Sequence, residues 1–160
     1  MGEFEHKLME DGGFCIVSYS GNTAEVVIPD VIGKGSPVTI LYDDLFKGHP
    51  EITSIHIPDT VTDMGEFVFD GCTGLKSLKL PSGLENLWGY TFAGSGIEEI
   101  VLPEKLKSIP SFAFYNCGNL KRVVCNASLK KIRAHAFSGC ENLTELVTGP
   151  ETEISPEAFV

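Results

Sequence analysis

Apolar residues recur along this chain in one figure. A clear copy reads Leu75-x-x-Leu78-x-Leu80-Pro81, then Leu84-x-x-Leu87, then Phe92. It returns as Ile97-x-x-Ile100-x-Leu102-Pro103, Leu106-x-x-Ile109 and Phe114, and as Leu120-x-x-Val123-x-Cys125, Leu129-x-x-Ile132 and Phe137. Upstream stand Ile52-x-x-Ile55-x-Ile57-Pro58, Val61-x-x-Met64 and Phe69. A last copy starts at Leu143-x-x-Leu146, loses the figure at Thr148 and Thr152, and ends with Ile154 and Phe159. Phe46, Phe69, Phe92, Phe114, Phe137 and Phe159 are thus 23, 23, 22, 23 and 22 residues apart. A fixed period of this length marks a stacked repeat, in which no copy buries its apolar face alone and neighbours must supply the rest.

Each copy predicts the same elements. The Leu78-x-Leu80 alternation gives a very short strand with two side chains inward. The proline that follows cannot donate to a ladder, so it ends the strand and turns the chain. The Leu84-x-x-Leu87 spacing predicts a short helical or irregular segment on the return path. Gly48, Gly71, Gly94, Asn116 and Gly139 each lie two residues past a phenylalanine, a column that predicts a repeated left-handed turn. The short strands then align as a parallel sheet, one rung per copy.

Residues 1–40 depart from the figure and read as an N-terminal cap, a β-hairpin plus a degenerate repeat. Phe14–Tyr19 and Ala24–Ile28 are strand-like, and Ser20-Gly21-Asn22-Thr23 between them predicts the hairpin turn. Val26-x-Ile28-Pro29 repeats the Ile55-x-Ile57-Pro58 signature. Residues 41–160 hold about five copies of 22–23 residues, the last reading as truncated because no cap is visible after Val160.

Charge narrows the partners. Twelve Lys and Arg against 22 Asp and Glu leave a net charge of −10, which argues against nucleic acid, since phosphate binding needs clustered positive charge. No apolar run reaches the roughly 20 residues of a membrane span, so no membrane insertion is expected. The N-terminus has neither the basic start nor the apolar stretch of a secretion leader.

The candidate chemistry resolves into bland readings. Cys72, Cys117 and Cys140 share one repeat position, and stacked side chains point in parallel, which fits a disulfide poorly. They read as a column of small, buried free thiols. His135 and Cys140 are the one close His–Cys pair, with no third ligand for zinc. Asp59, Asp63, Glu66 and Asp70 crowd one stretch without calcium-loop spacing and read as a solvated acidic convex face. Gly33-Lys34-Gly35-Ser36 lacks phosphate-loop spacing, and the sequons at Asn126 and Asn142 read as chance matches. No catalytic, cofactor-binding or metal-binding set is predicted, and the chain reads as a non-enzyme.

Ala113-Phe114-x-x-Cys117-x-x-Leu120 and Ala136-Phe137-x-x-Cys140-x-x-Leu143, with Leu78-x-Leu80-Pro81, resemble the BspA-type leucine-rich repeat of bacterial surface proteins. His49 and Ser95 replace the cysteine, and Asn126 and Gly149 replace the proline. The resemblance implies an α/β repeat solenoid: a curved, right-handed leucine-rich repeat array with a concave parallel β-sheet of short strands and a turn or short-helix convex side. It also implies display on the cell surface or secretion, with adhesion to a host extracellular-matrix or cell-surface protein; a glycan is the lesser candidate. The alternative is an intracellular, cytoplasmic interaction scaffold of the same fold.

On that fold, residues alternating with the inward pair face the concave side. The central column reads His56, Lys79, Val101, Val124 and Val147, and the flanking column Ser54, Ser77, Glu99, Arg122 and Glu145. Three valines beside a charged rim predict a protein-binding surface.

Overall fold

The structure, a computed structural model, describes residues 3–160. The cap contributes β1 (Phe4–Leu8), β2 (Phe14–Tyr19), β3 (Glu25–Val27), β4 (Val31–Ile32) and β5 (Ser36–Leu41). The repeats add β6 (Ser54–His56), β7 (Asp63–Met64), β8 (Asn86–Leu87), β9 (Glu99–Val101), β10 (Ser108–Ile109), β11 (Arg122–Val124), β12 (Lys131–Ile132), β13 (Glu145–Val147) and β14 (Glu153–Ile154).

These strands form two parallel columns. In the first, β3 pairs with β6, and β9, β11 and β13 pair in register through Ile100, Val123 and Leu146. The second runs β5–β7–β8 and then β10–β12–β14, joined through Leu41, Met64 and Leu87 and through Ile109, Ile132 and Ile154. Each turn of the chain thus supplies a rung to both, and the apolar residues of the repeated figure meet between them.

Two expectations are corrected. No helix occurs among the described residues, so the predicted short-helix segment is a second sheet linked by turns. Leu84-x-x-Leu87 spans only four residues, too few to offset the cost of a helical nucleus. The neighbouring rung offers a partner instead: Leu84 N–H closes a tight turn on Pro81 O at 3.1 Å, and Asn86 N–H bonds across to Thr62 O at 3.0 Å. The second correction concerns the cap. Its long hairpin joins β1 to β2, not Phe14–Tyr19 to Ala24–Ile28, and β2 then runs parallel to β5. Segment 24–28 instead supplies β3, which runs parallel to β6 with Val26 opposite Ile55.

The phenylalanine column is the spine of the core. Phe46, Phe69, Phe92, Phe114 and Phe137 are fully buried and stack ring on ring at 5.0–5.7 Å, extending to Phe159. Phe69, Phe92, Phe114 and Phe137 each donate N–H to the next rung, at 2.7–2.9 Å, so the turns carry their own ladder. The predicted left-handed column is present at Gly48, Gly71, Gly94, Asn116 and Gly139, with φ of 55–77°. A second left-handed column lies two residues before each phenylalanine: Asp44, Phe67, Tyr90, Phe112 and His135, with φ of 58–61°. Its rings stack at 4.8–4.9 Å, and Lys47 Nζ sits 4.4 Å above Phe67.

A seam crosses the array after the copy that ends at Phe92. There the turn from Phe92 to Ile97 is one residue shorter than the turns from Phe69 to Leu75 and from Phe114 to Leu120. In the first sheet only a bridge between Ser77 and Glu99 spans it. Ile28, Leu102 and Cys125 each donate N–H to the next rung, at 2.8–3.0 Å, but Leu80 at the seam and Ile57 one rung before it make no such bond. In the second sheet β8 and β10 do not pair. Gly65, Trp88, Arg133 and Ser155 donate N–H to the rung before, whereas Pro110 at the same place has no N–H to give.

Candidate functional site

The outward residues of the first sheet make the predicted columns, in three groups. Glu99, Arg122 and Glu145 lie side by side on β9, β11 and β13, as do Val101, Val124 and Val147. Ser54 and His56 sit on β6, paired with Glu25 and Val27 of β3. Ser77 and Lys79 occupy the irregular segment between these pieces.

Arg122 clamps its neighbours. Its Nη1 donates to Glu99 Oε1 at 2.6 Å and its Nε to Glu145 Oε2 at 2.8 Å. Those hydrogen bonds raise the guanidinium pKa further. All three side chains are largely solvated, so the clamp fixes a charged edge more than it stabilises the fold. Beside it Val101 is 57 % exposed and Val147 40 %, with Val124 half-buried between them. β-branched side chains suit a strand, but an apolar run left in solvent beside fixed charges also has the composition of a contact surface.

The seam opens a hollow of about 810 Å³ beside these columns. It joins four predicted residues, Ser77, Lys79, Glu99 and Val101, to Asp59 and Glu104, which the alternation rule does not select. Asp59 Oδ1 accepts Ser82 N–H at 2.8 Å, and that bond lowers its carboxyl pKa. Val27, 67 % exposed, extends the central column by one rung. Its signal was present in the Val26-x-Ile28 alternation, which leaves Val27 outward.

The other chemistry has structural partners. The thiols of Cys72, Cys117 and Cys140 donate to the carbonyls of Phe46, Phe92 and Phe114 at 3.0–3.1 Å, tying each turn to one before it. Burial pushes the Cys72 thiol up to about 12 and that of Cys125 to about 11. All five cysteines are unpaired. His135 stacks on Phe112, and its Nδ1 lies 2.6 Å from Val160 O. Asp63 accepts from Asn86 Nδ2 at 2.9 Å, and Asp70 pairs with Lys47 at 3.8 Å. Gly33 and Gly35 take positive φ in the turn between antiparallel β4 and β5. Among the described residues no group of three His, Cys, Asp or Glu is arranged to hold a metal ion, and no helix is long and apolar enough to cross a membrane.

Known structures share this architecture. A leucine-rich repeat protein of T. pallidum is 28% identical, with 92% of this chain and 83% of that one covered and a TM-score of 0.73. One from Bacteroides ovatus is 25% identical at a TM-score of 0.71, and this chain spans 50% of its length while being covered throughout. The pneumococcal vaccine antigen PcpA, 20% identical with 99% and 50% covered, has the same fold at a TM-score of 0.74. No curated protein matches the chain. The model of the BspA type leucine rich repeat region matches residues 39–160 in six copies. Leucine-rich repeats point to a protein–protein interaction module, typically without enzymatic activity. With most of its length matched by that model, the chain belongs to the BspA-type leucine-rich repeat family.

Proposed function

We propose that this protein is a non-enzymatic recognition module, displayed at or secreted from a bacterial surface, that binds a host or cell-surface protein through its first sheet. The observation that carries the reading is the outward valine run Val101, Val124 and Val147, left in solvent beside the Arg122 clamp and opening onto the hollow at Ser77 and Lys79. An apolar centre with a charged rim recognises protein surfaces better than it recognises a sugar chain. Ser54 and His56 extend the same face toward the cap. Adhesion and surface display are carried over from the family resemblance and are part of the proposal.

The test is surface plasmon resonance against a panel of extracellular-matrix and cell-surface proteins, with wild type beside a folded V101E/V124E/V147E variant. Saturable binding that the variant loses supports the reading. Binding that the variant keeps moves the site to another face, and no binding by wild type refutes the adhesin reading. One observation favours a second reading, an intracellular scaffold of the same fold: five unpaired thiols suit a reducing compartment. An export leader in the full gene would exclude it.

A further inference from the structure

A second surface, on the other sheet, has the make-up of a small binding cleft. Tyr42, Gly65 and Trp88 follow β5, β7 and β8 and occupy one column, one rung apart: Gly65 N–H bonds Leu41 O at 2.9 Å and Trp88 N–H bonds Met64 O at 3.1 Å. Tyr42 and Trp88 are each 55 % exposed, although rings of this size are usually covered. Between them Gly65 has no side chain, and a cleft of about 560 Å³ opens over it. The gap is enforced. A Cβ on Gly65 would run into the Asp43 carboxylate, which is held in place by the Glu66 N–H at 2.8 Å.

The walls select for charge. Asp43, Asp63 and Glu66 line the cleft, no basic residue does, and none of the three carboxylates has an ion-pair partner among the described residues. Carboxylates alone would be a solvated face. Here they surround a slot between two aromatic positions about 9.6 Å apart, two rungs at about 4.8 Å each. A group seated over Gly65 lies about one rung from either ring, within the roughly 6 Å over which a cation is held by an aromatic face.

We infer that the Tyr42–Gly65–Trp88 cleft binds an organic cation of the alkylammonium type. A neutral sugar could stack on the rings, but it would leave the three carboxylates without a countercharge, although Asp43 and Asp63 already accept hydrogen bonds from Glu66 N–H and Asn86 Nδ2. This site is independent of the valine column, and either can fail without the other.

Trp88 is the only tryptophan of the chain, so its fluorescence reads the cleft directly. Wild-type protein is titrated at low ionic strength with tetramethylammonium chloride, N-acetyl-lysine methylamide or methyl glucoside, against sodium chloride at equal ionic strength. The expected result is a saturable change with one or both cations, weakened about tenfold in D43N/E66Q, which keeps shape and removes charge, and comparably in Y42L. Tighter binding of tetramethylammonium assigns a free small cation; tighter binding of the lysine amide assigns a partner protein's side chain. The inference is overturned if neither cation exceeds the salt control, if the glucoside binds more tightly than both, or if D43N/E66Q binds like wild type.

Discussion

Replacing Phe92 tests whether the ring stack, and not apolar burial alone, holds the rungs together. Phe92 is fully buried between Phe69, at 5.6 Å and 2°, and Phe114, at 5.0 Å and 15°. Phe92→Leu keeps most of the apolar volume and loses two aromatic pairs, at about 0.5–1.5 kcal/mol each, plus about 1 kcal/mol of imperfect refilling. The expected loss is about 2–4 kcal/mol. Phe92→Ala adds a cavity and should cost about 5 kcal/mol. Phe159 has one stacked neighbour and is 52 % exposed, so Phe159→Ala should cost about 1–2 kcal/mol. Urea unfolding followed by circular dichroism, with all variants compared at a common m-value, reads these differences. A Phe92→Leu loss of about 1 kcal/mol or less, the refilling cost alone, or equal losses for Phe159→Ala and Phe92→Ala, would falsify the stacking account.

Three further outcomes are expected. Gly74→Ala places a Cβ against the carbonyl oxygens of Pro50 and Ile52, while Gly118→Ala meets nothing within 4 Å; thermal unfolding should show the first destabilised by at least about 2 kcal/mol and the second by under about 1, and equal shifts would refute the close approach. Burial holds the Cys72 and Cys125 thiols at about 12 and about 11, against about 8.5 in an unfolded chain. Below pH 8.5 both states are protonated and stability is full; above it the unfolded state releases protons the fold retains, so stability falls as pH rises, by up to about 1.4 kcal/mol per thiol per pH unit. A C72A/C125A variant should lose that part of the slope in denaturant titrations from pH 8 to 10.5, and a slope equal to wild type refutes the shift. Amide hydrogen exchange should be faster at Ile57 and Leu80 than at Leu102 and Cys125, which have their ladder bonds, and uniform protection would count against the seam.

The sequence made the first sheet, the phenylalanine column and the Gly48–Gly139 turns legible, because each rests on one kind of residue, aliphatic, phenylalanine, or glycine with one asparagine, at one place in the copies. The second sheet was hidden. A pair such as Asn86-Leu87 is too short to alternate, and Leu84-x-x-Leu87 has the same spacing as one turn of helix. Phe67, Tyr90 and Phe112 could not be foreseen in left-handed backbone, since propensity places Gly or Asn there. The cleft was missed for another reason. Tyr42, Gly65, Trp88, Pro110, Arg133 and Ser155 form a column with a different residue in every copy. A search for periodicity discards such a column, although a lone tryptophan within it was a visible signal.

The left-handed aromatic column has a consequence for how arrays of this kind change length. Each of Phe67, Tyr90, Phe112 and His135 holds a backbone that disfavours it by roughly 1–2 kcal/mol, and its ring recovers about as much only by lying on the ring of the adjacent copy. Slipping the chain by one residue in one direction would put the strained backbone at Val68 and Thr91, β-branched residues that tolerate it least, and a slip in either direction would break the ring contacts. The column therefore acts as an index. It admits the gain or loss of a whole copy, which brings its own strain and its own ring, and rejects any change that shifts the rings out of register. Length changes that survive are expected in the turns between rungs: the Phe92–Ile97 turn is one residue short, yet Tyr90 and Phe112 still stack at 4.8 Å.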